Sequence, residues 1–239
     1  MESNDQDAER ENPENRRIRS FVLRAGRMSA AQRRSYETLG ERYILPYEKK
    51  PLAGETAFGN DRSLTVEIGF GMGIATAMIA EANPDKNYLG LEVHTPGVGR
   101  LLWEIEKRGL TNVRIVEHDA VEVLEDMIAD ASVAAFHIFF PDPWPKKRHH
   151  KRRLVKRPFT DLLAAKLADG GYLYMATDWA EYGDWALAEL SATGGLKNAY
   201  ADFAPRQEWR PRTKFERKGE AKHHEVRELY FTREVRGGA

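Results

Sequence analysis

The apolar positions of this chain change their spacing near residue 63: scattered before it, they fall afterwards into short runs that alternate with helical periods. Leu64-Thr65-Val66-Glu67-Ile68 is a β-prone run ending in glycines, and residues 74–82 carry helical spacing. Residues 87–93 predict a second strand, and 98–108 a helix closed by Gly109 as its C-cap. A third strand is predicted over 113–116 and a helix over 121–129. Residues 133–140 are almost wholly apolar, as a strand buried on both faces requires. Next come a helix over 158–168, a turn at Gly170-Gly171, a strand over 172–176 and a helix over 179–190. A last strand, 226–232, leaves no room for a helix after it. Strands alternating with helices imply right-handed βαβ units and a parallel sheet covered on both faces. No internal repeat and no domain break follow Ser63.

Ahead of that pattern, residues 1–15 are polar and acidic and predict a disordered tail. From Arg16 the balance reverses: Arg16, Arg17, Arg19, Arg24, Arg27, Arg33 and Arg34 are interleaved with Phe21, Val22, Leu23 and Met28. This is either a solvated leader or an arm that touches phosphate. The expected organisation is a tail over 1–15, a basic arm and helix over 16–62, and the main domain over 63–239.

Composition narrows the chemistry. At 239 residues and 41% hydrophobic, the chain can bury a core without staples. It has no cysteine, which excludes disulfides, thiolate zinc sites and a cysteine nucleophile, and fits a cytoplasmic setting. Neither a membrane-length apolar run nor a basic-then-apolar leader occurs, so no membrane span and no signal peptide are expected. The 37 basic and 37 acidic side chains cancel, which by itself argues against a polyanionic partner. The charges are segregated, however, and their distribution matters more than their sum.

Glu67-Ile68-Gly69-Phe70-Gly71-Met72-Gly73 sits where the first strand meets the first helix of the regular pattern. Glycines there permit a sharp turn and close approach of a ligand. Their spacing, G-x-G-x-G, differs from the G-x-G-x-x-G of dinucleotide folds, and Glu67 would repel a pyrophosphate. S-adenosylmethionine carries an ammonium and a sulfonium and no phosphate, so a carboxylate suits it. Glu92 ends the second strand, where an acid can accept both ribose hydroxyls. Asp119 ends the third, where an acid can accept from an adenine amino group. Each acid alone is an ordinary turn or N-cap residue; three at successive strand ends are less easily dismissed.

Phe140-Pro141-Asp142-Pro143-Trp144-Pro145 follows the fourth strand, and its prolines make a stiff loop able to aim Asp142 and Trp144 at a flat ring. Residues 146–157 then hold eight Lys or Arg and no acid. Such a run is a solvated face or, being self-repelling, a seat for phosphate. His149-His150 and His223-His224 are adjacent pairs, poorly spaced for chelation, so no metal is expected. Near the C-terminus, residues 210–219 form a charged loop that, with Asp178, could offer polar groups to a base.

These motifs resemble the tRNA guanine-N7 methyltransferase family. The likeness rests on residues 67–73, on Phe140-Pro141-Asp142-Pro143-Trp144 with its basic continuation to Leu154, on Ala176-Thr177-Asp178, on Thr213-Lys214-Phe215-Glu216 and on the arm over 19–28. It covers nearly the whole chain, about 19–233, and the proline-rich loop with its basic run is its most specific part. The resemblance implies a Rossmann-like class I methyltransferase fold: a seven-stranded, mostly parallel sheet with a late antiparallel strand and helices on both faces. It implies an S-adenosylmethionine site of Glu67, Gly69, Gly71, Gly73, Glu92, Asp119 and Asp142, with Asp142 catalytic. It implies a substrate site of Lys146, Asp178, Thr213, Lys214, Phe215 and Glu216. RNA contact falls to Arg148, His149, His150, Lys151, Arg152 and Arg153. The implied partner is tRNA, at guanine 46 of its variable loop, with no membrane and no obligate protein partner, the enzyme acting as a monomer in the cytoplasm.

Guanine N7 has an in-plane lone pair and needs no deprotonation, so the expected catalysis is positioning and field. Asp142 would stabilise the positive charge moving onto the purine, Asp178 or Glu216 would accept from N1–H and the amino group, and Trp144 would stack on the base. The rivals are a nicotinamide-dependent oxidoreductase, at odds with the glycine spacing and Glu67, a non-catalytic RNA-binding module, which needs no intact acids, and an adenine or protein methyltransferase, which the resemblance argues against.

Overall fold

The computed structural model describes residues 18–22, 26–212, 216 and 225–235. The acidic tail, Arg16, Arg17, Leu23, Arg24 and Thr213, Lys214 and Phe215 of the sequence reading lie outside these residues. Seven strands form one sheet: β1 (Leu64–Ile68), β2 (Asn87–Leu91), β3 (Val113–Val116), β4 (Val133–Phe139), β5 (Leu167–Thr177), β6 (Leu196–Asn198) and β7 (Arg227–Arg233). Their order is β3-β2-β1-β4-β5-β7-β6. All pairings run parallel except the two made by β7.

Period-two alternation gives the sheet two distinct faces. Val66, Ile68, Leu89, Leu91, Phe136, Ile138, Leu173 and Met175 point to one face. There they pack against α2 (Gly54–Phe58), α5 (Ala120–Asp126), α6 (Phe159–Lys166) and α7 (Ala180–Ser191). On the other face α3 (Ile74–Ala82) and α4 (Thr95–Arg108) cover β1, β2 and β3 through Ala77, Ile79, Leu101, Leu102 and Ile105. Over β4, β5 and β7 that same face is closed by an aromatic cluster: Trp209 stacks on His137, with ring centroids 4.6 Å apart, and lies across Tyr172, Tyr174 and Phe139. Burial pushes His137 down to about 3, so its ring is neutral there.

Three elements differ from the sequence expectation. β5 begins at Leu167, five residues before the predicted strand, with a register irregularity opposite Val133 and Ala135 that takes up the Gly170-Gly171 step. β6 has only three residues, too few for a period to show. Helix α1 (Ala30–Tyr43) opens on a capping box: Ser29 Oγ accepts from Gln32 N at 3.3 Å, and Gln32 Oε1 accepts from Ser29 N at 2.7 Å. α1 packs along α4, Gln32 Nε2 donates to the Pro96 carbonyl, and Leu45 N donates to Ile115 O on β3. The basic segment thus continues into a helix that is stitched to the domain.

The chain order of strands reverses between β1 and β4, and ligands of open α/β sheets bind at the carboxyl edge of such a switch point.

Candidate active site

The loop from β1 to α3 is made by three glycines with positive φ: Gly69 (72°), Gly71 (57°) and Gly73 (66°). A side chain would strain each. A Cβ on Gly69 or Gly71 would meet nothing within 4 Å, so this side of the loop lies open to a ligand. From behind, α4 presses on it: a Cβ on Gly97 would stand 2.0 Å from the Gly71 carbonyl oxygen.

Glu92, just past β2, grips this loop. Its Oε2 accepts from Gly71 N at 2.8 Å, and its Oε1 accepts from Val93 N and His94 N at 2.8 and 3.1 Å. The loop amide that a pyrophosphate would need is already committed to a carboxylate. Asp119 caps α5, its Oδ1 accepting from Val121 N at 2.9 Å. Beside it the His118 ring stacks on Tyr47, centroids 3.8 Å apart. A cleft of about 770 Å³ lies at this edge, lined by Ile68, Gly69, Leu91, Glu92, Val93, His118, Asp119, Ala120, Phe140, Pro141 and Asp142. The size suits one small organic ligand. The structure therefore gathers Gly69, Glu92, Asp119 and Asp142, from four successive β-to-α connections, around one hollow.

Glu67 is not on that lining. It lies in β1, level with Gly90 of β2 and His137 of β4, and is buried on the α3 side of the sheet. Burial raises its carboxyl to about 8, with a hydrogen bond from Thr76 working against the rise and the Glu92 charge adding to it. It is thus a mostly protonated acid at neutral pH, one residue behind the loop. The pocket nonetheless fits S-adenosylmethionine by its chemistry: open glycine backbone, carboxylates at two strand ends, and apolar Ile68 and Leu91 between them.

The loop after β4 departs from ordinary backbone at both ends, with Phe140 at φ 51° and Trp144 at φ 47°. Asp142 is exposed on the cleft rim. Trp144 does not stand free as a stacking platform. Its Nε1–H donates to the Ser20 carbonyl at 3.0 Å, the Arg152 guanidinium lies 5.1 Å from its ring centroid, and His149 meets it edge-on. This pins residues 18–22 across the cleft, where Ser20 and Phe21 line the same hollow as Asp142. Sequence reasoning placed Phe21 in a basic arm without seeing that it reaches the site.

The basic run forms a 3₁₀ turn over Lys147–Arg152. Lys146, Lys147, Arg148 and Lys151 are exposed and Arg152 half-buried. Partial desolvation and the nearby Arg148, Lys146, Arg152 and Lys151 hold His149 below its ordinary value, so it is neutral at pH 7. Arg153 lies in the interior rather than on the surface. It is 1% exposed, donates to the Pro143 carbonyl at 3.0 Å and to Glu181 at 3.0 Å, and packs over Tyr182 and Trp185. In this arrangement its guanidinium braces the Asp142 loop against α7.

Asp178 follows β5 at the same edge of the sheet and is half-buried. Glu216 is buried, and both its oxygens accept from Arg210, at 2.8 and 2.6 Å. Arg210 also donates to Glu228 on β7 at 2.5 Å and lies 5.8 Å from the centroid of Phe140. Neither Arg210 nor Glu228 stands out in the sequence, since a buried acid in an arginine-rich strand carries no periodic mark. Among the described residues no three His, Cys, Asp or Glu side chains come together as a metal site, and no helix is long and apolar enough to cross a membrane.

Comparison with known proteins adds to this geometry. Residues 61–229 match a family model described as "Putative methyltransferase". The chain is 53% identical over 216 residues to a tRNA (guanine-N(7)-)-methyltransferase of Burkholderia vietnamiensis, covering 90% of this chain and 85% of that one. It is 54% identical to the protein of that name from Ralstonia nicotianae, covering 90% and 86%. With that from Thiobacillus denitrificans it shares 50% identity, covering 91% and 96%. Among solved structures, the 16S rRNA methyltransferase KamB superposes with a TM-score of 0.56 at 15% identity, over 80% of this chain and 99% of that one. At that identity the likeness speaks for the fold alone.

Proposed function

Because the chain belongs to the tRNA (guanine-N(7)-)-methyltransferase family, we propose that it methylates N7 of a guanine in tRNA, guanine 46 of the variable loop. S-adenosylmethionine, when bound, supplies an electrophilic methyl group on a sulfonium. The guanine N7 lone pair forms the new N–C bond, the C–S electron pair stays on sulfur, and no proton moves. The products are 7-methylguanosine and S-adenosylhomocysteine. The observation that carries this reading is the convergence of Gly69, Glu92, Asp119 and Asp142 on one cleft at the switch point.

The residues divide the work. Glu92 and Asp119 hold the ribose and adenine ends of the donor, and Gly69, Gly71 and Gly73 let its chain lie against backbone. Glu67, once deprotonated, faces the donor's ammonium end. Asp142, on a loop braced by Arg153, sets its charge where the purine becomes cationic; a fixed carboxylate there lowers the barrier without reorganisation. Asp178 and the segment from Thr213 to Glu216 take the base, Lys146 helps seat the nucleotide, and Arg148, His149, His150, Lys151 and Arg152 face the phosphates. The basic segment over 16–62 works with the main domain, its residues 18–22 crossing the donor cleft.

The test is direct. Purified protein is incubated with methyl-labelled S-adenosylmethionine and a tRNA transcript, and the product nucleosides are separated. Label is expected in 7-methylguanosine, and none in a transcript whose guanine 46 is replaced by adenine. Label in another nucleoside would reject the reaction, and label in the replaced transcript would reject the position.

A further inference from the structure

The connection from β6 to β7 runs from residue 199 to 226, long for a compact domain, and such connections are usually functional. It is anchored twice within two residues. Trp209 inserts into the aromatic cluster on the sheet, against His137, Tyr172 and Tyr174. Arg210, 1% exposed, reaches β7 and joins two buried carboxylates: Nη2 donates to Glu228 Oε1 and to Glu216 Oε1, and Nη1 donates to Glu216 Oε2. A second guanidinium, that of Arg206, stands 3.9 Å from Glu216 and donates to the Arg210 carbonyl at 2.5 Å. Two arginines thus balance two glutamates, the condition on which buried charge is tolerated. Phe140, which lines the donor cleft, lies under the Arg210 guanidinium.

We propose that Arg210 and Glu228 are a positioning pair that seats the Glu216 carboxylate at the carboxyl edge of the sheet, beside Phe140, in the orientation that reads the guanine. Glu228 belongs to a strand and cannot wander: its residue pairs with Ala176, two residues before Asp178. It fixes one corner of the Arg210 fork. The other two donors of that fork hold Glu216 by both oxygens, a bidentate geometry that sets the plane of the carboxylate as well as its place. Each carboxylate oxygen has a second acceptor direction beyond the one Arg210 uses, and those directions suit the paired N1–H and amino donors of guanine. The chain of contacts runs from sheet to Glu228 to Arg210 to Glu216, and only its last member touches the base. The inference rests on the reading above that Glu216 meets the substrate.

The experiment compares Arg210→Lys, Glu228→Gln, Glu216→Gln and the double variant Arg210→Lys/Glu216→Gln, measuring kcat/KM for tRNA, donor affinity by calorimetry, and melting temperature. Lysine keeps the charge and loses the fork, so Arg210→Lys is expected to lower kcat/KM for tRNA about a hundredfold, the scale of a group misplaced by an ångström. Donor affinity should stay within about twofold, which a general structural defect would not allow. Glu228→Gln retains an acceptor for Nη2 and should keep most of the activity. The double variant should be no worse than Glu216→Gln, as residues acting in series require. An impaired Glu216→Gln beside an unimpaired Arg210→Lys would overturn the pair alone, as would losses that multiply in the double variant or a parallel fall in donor affinity. An unimpaired Glu216→Gln would overturn both the pair and the base contact.

Discussion

Two acids at the donor end do opposite things, and the difference is one of solvent. Asp142 is exposed on the rim and can be removed without leaving a hole. Asp142→Ala is therefore expected to abolish methylation while melting within a few degrees of the parent protein; full methylation of tRNA by this variant would remove Asp142 from catalysis. Glu67 is enclosed, and burial holds its carboxyl at about 8 against an ordinary 4.5. The sign follows from proton counting. Between those two values the folded chain keeps a proton that the unfolded chain has lost, so this group makes stability fall as pH rises from about 4.5 to about 8. Glu67→Gln removes that slope, approaching about 1 kcal/mol per pH unit, and should melt higher than the parent at pH 8. If the donor's ammonium binds the ionised acid, binding must release a proton below pH 8. Donor affinity should then climb with pH, by up to about tenfold per unit, relative to Glu67→Gln. Calorimetry in buffers of different ionisation enthalpy counts the proton, and a zero count at pH 7 would separate Glu67 from the cation.

Elements place these residues through contacts that sequence shows unevenly. Strands β1, β3 and β4 and helix α3 are legible because period-two and helical spacing are intact there, and they bring Gly69, Glu92, Asp119 and Asp142 to one edge. Helix α1 was also written in the sequence, in Ser29-Ala30-Ala31-Gln32, but a weakly apolar helix surrounded by arginines does not reveal its partner. What no pattern reveals is the close approach of two elements distant in sequence. The start of α4 backs the glycine loop so tightly that Gly97 leaves no room for a Cβ, which would lie 2.0 Å from Gly71 O. Backbone cannot yield as a flexible side chain can. Gly97→Ala should therefore displace the loop that Glu92 holds, weakening donor binding at least tenfold while far-ultraviolet circular dichroism stays unchanged; a donor affinity equal to the parent's would show the loop indifferent to α4. Trp144 shows the reverse. Its exposed-looking motif suggested a platform for a base, and the fold instead spends its N–H on Ser20.

At the scale of the whole molecule, zero net charge and a polyanionic substrate are reconciled by where the cations sit. The chain has no global field to draw RNA from a distance, so attraction must come from the turn at residues 147–152, beside the cleft that residues 18–22 cross. That turn is not uniform. Arg148 and Lys151 face solvent and Arg152 lies on Trp144, whereas Arg153 is committed to Pro143, Glu181 and the rings of Tyr182 and Trp185. Replacing Arg148, Lys151 and Arg152 together by alanine should weaken tRNA binding at all sequences and flatten its salt dependence. The loss is roughly 0.7–0.9 in the slope of log K against log salt for each phosphate contact removed, hence about two for the set. Arg153→Ala should behave differently: its hydrogen bonds and packing contribute to folding, so the variant is expected to lose about 1–3 kcal/mol of stability with the salt slope preserved. Titrations at several potassium chloride concentrations, paired with thermal melts, distinguish the two. If Arg153→Ala flattened the slope as much as the triple variant, its guanidinium would have to leave its buried partners on binding RNA, and the brace on the Asp142 loop would be released by the substrate that loop acts upon.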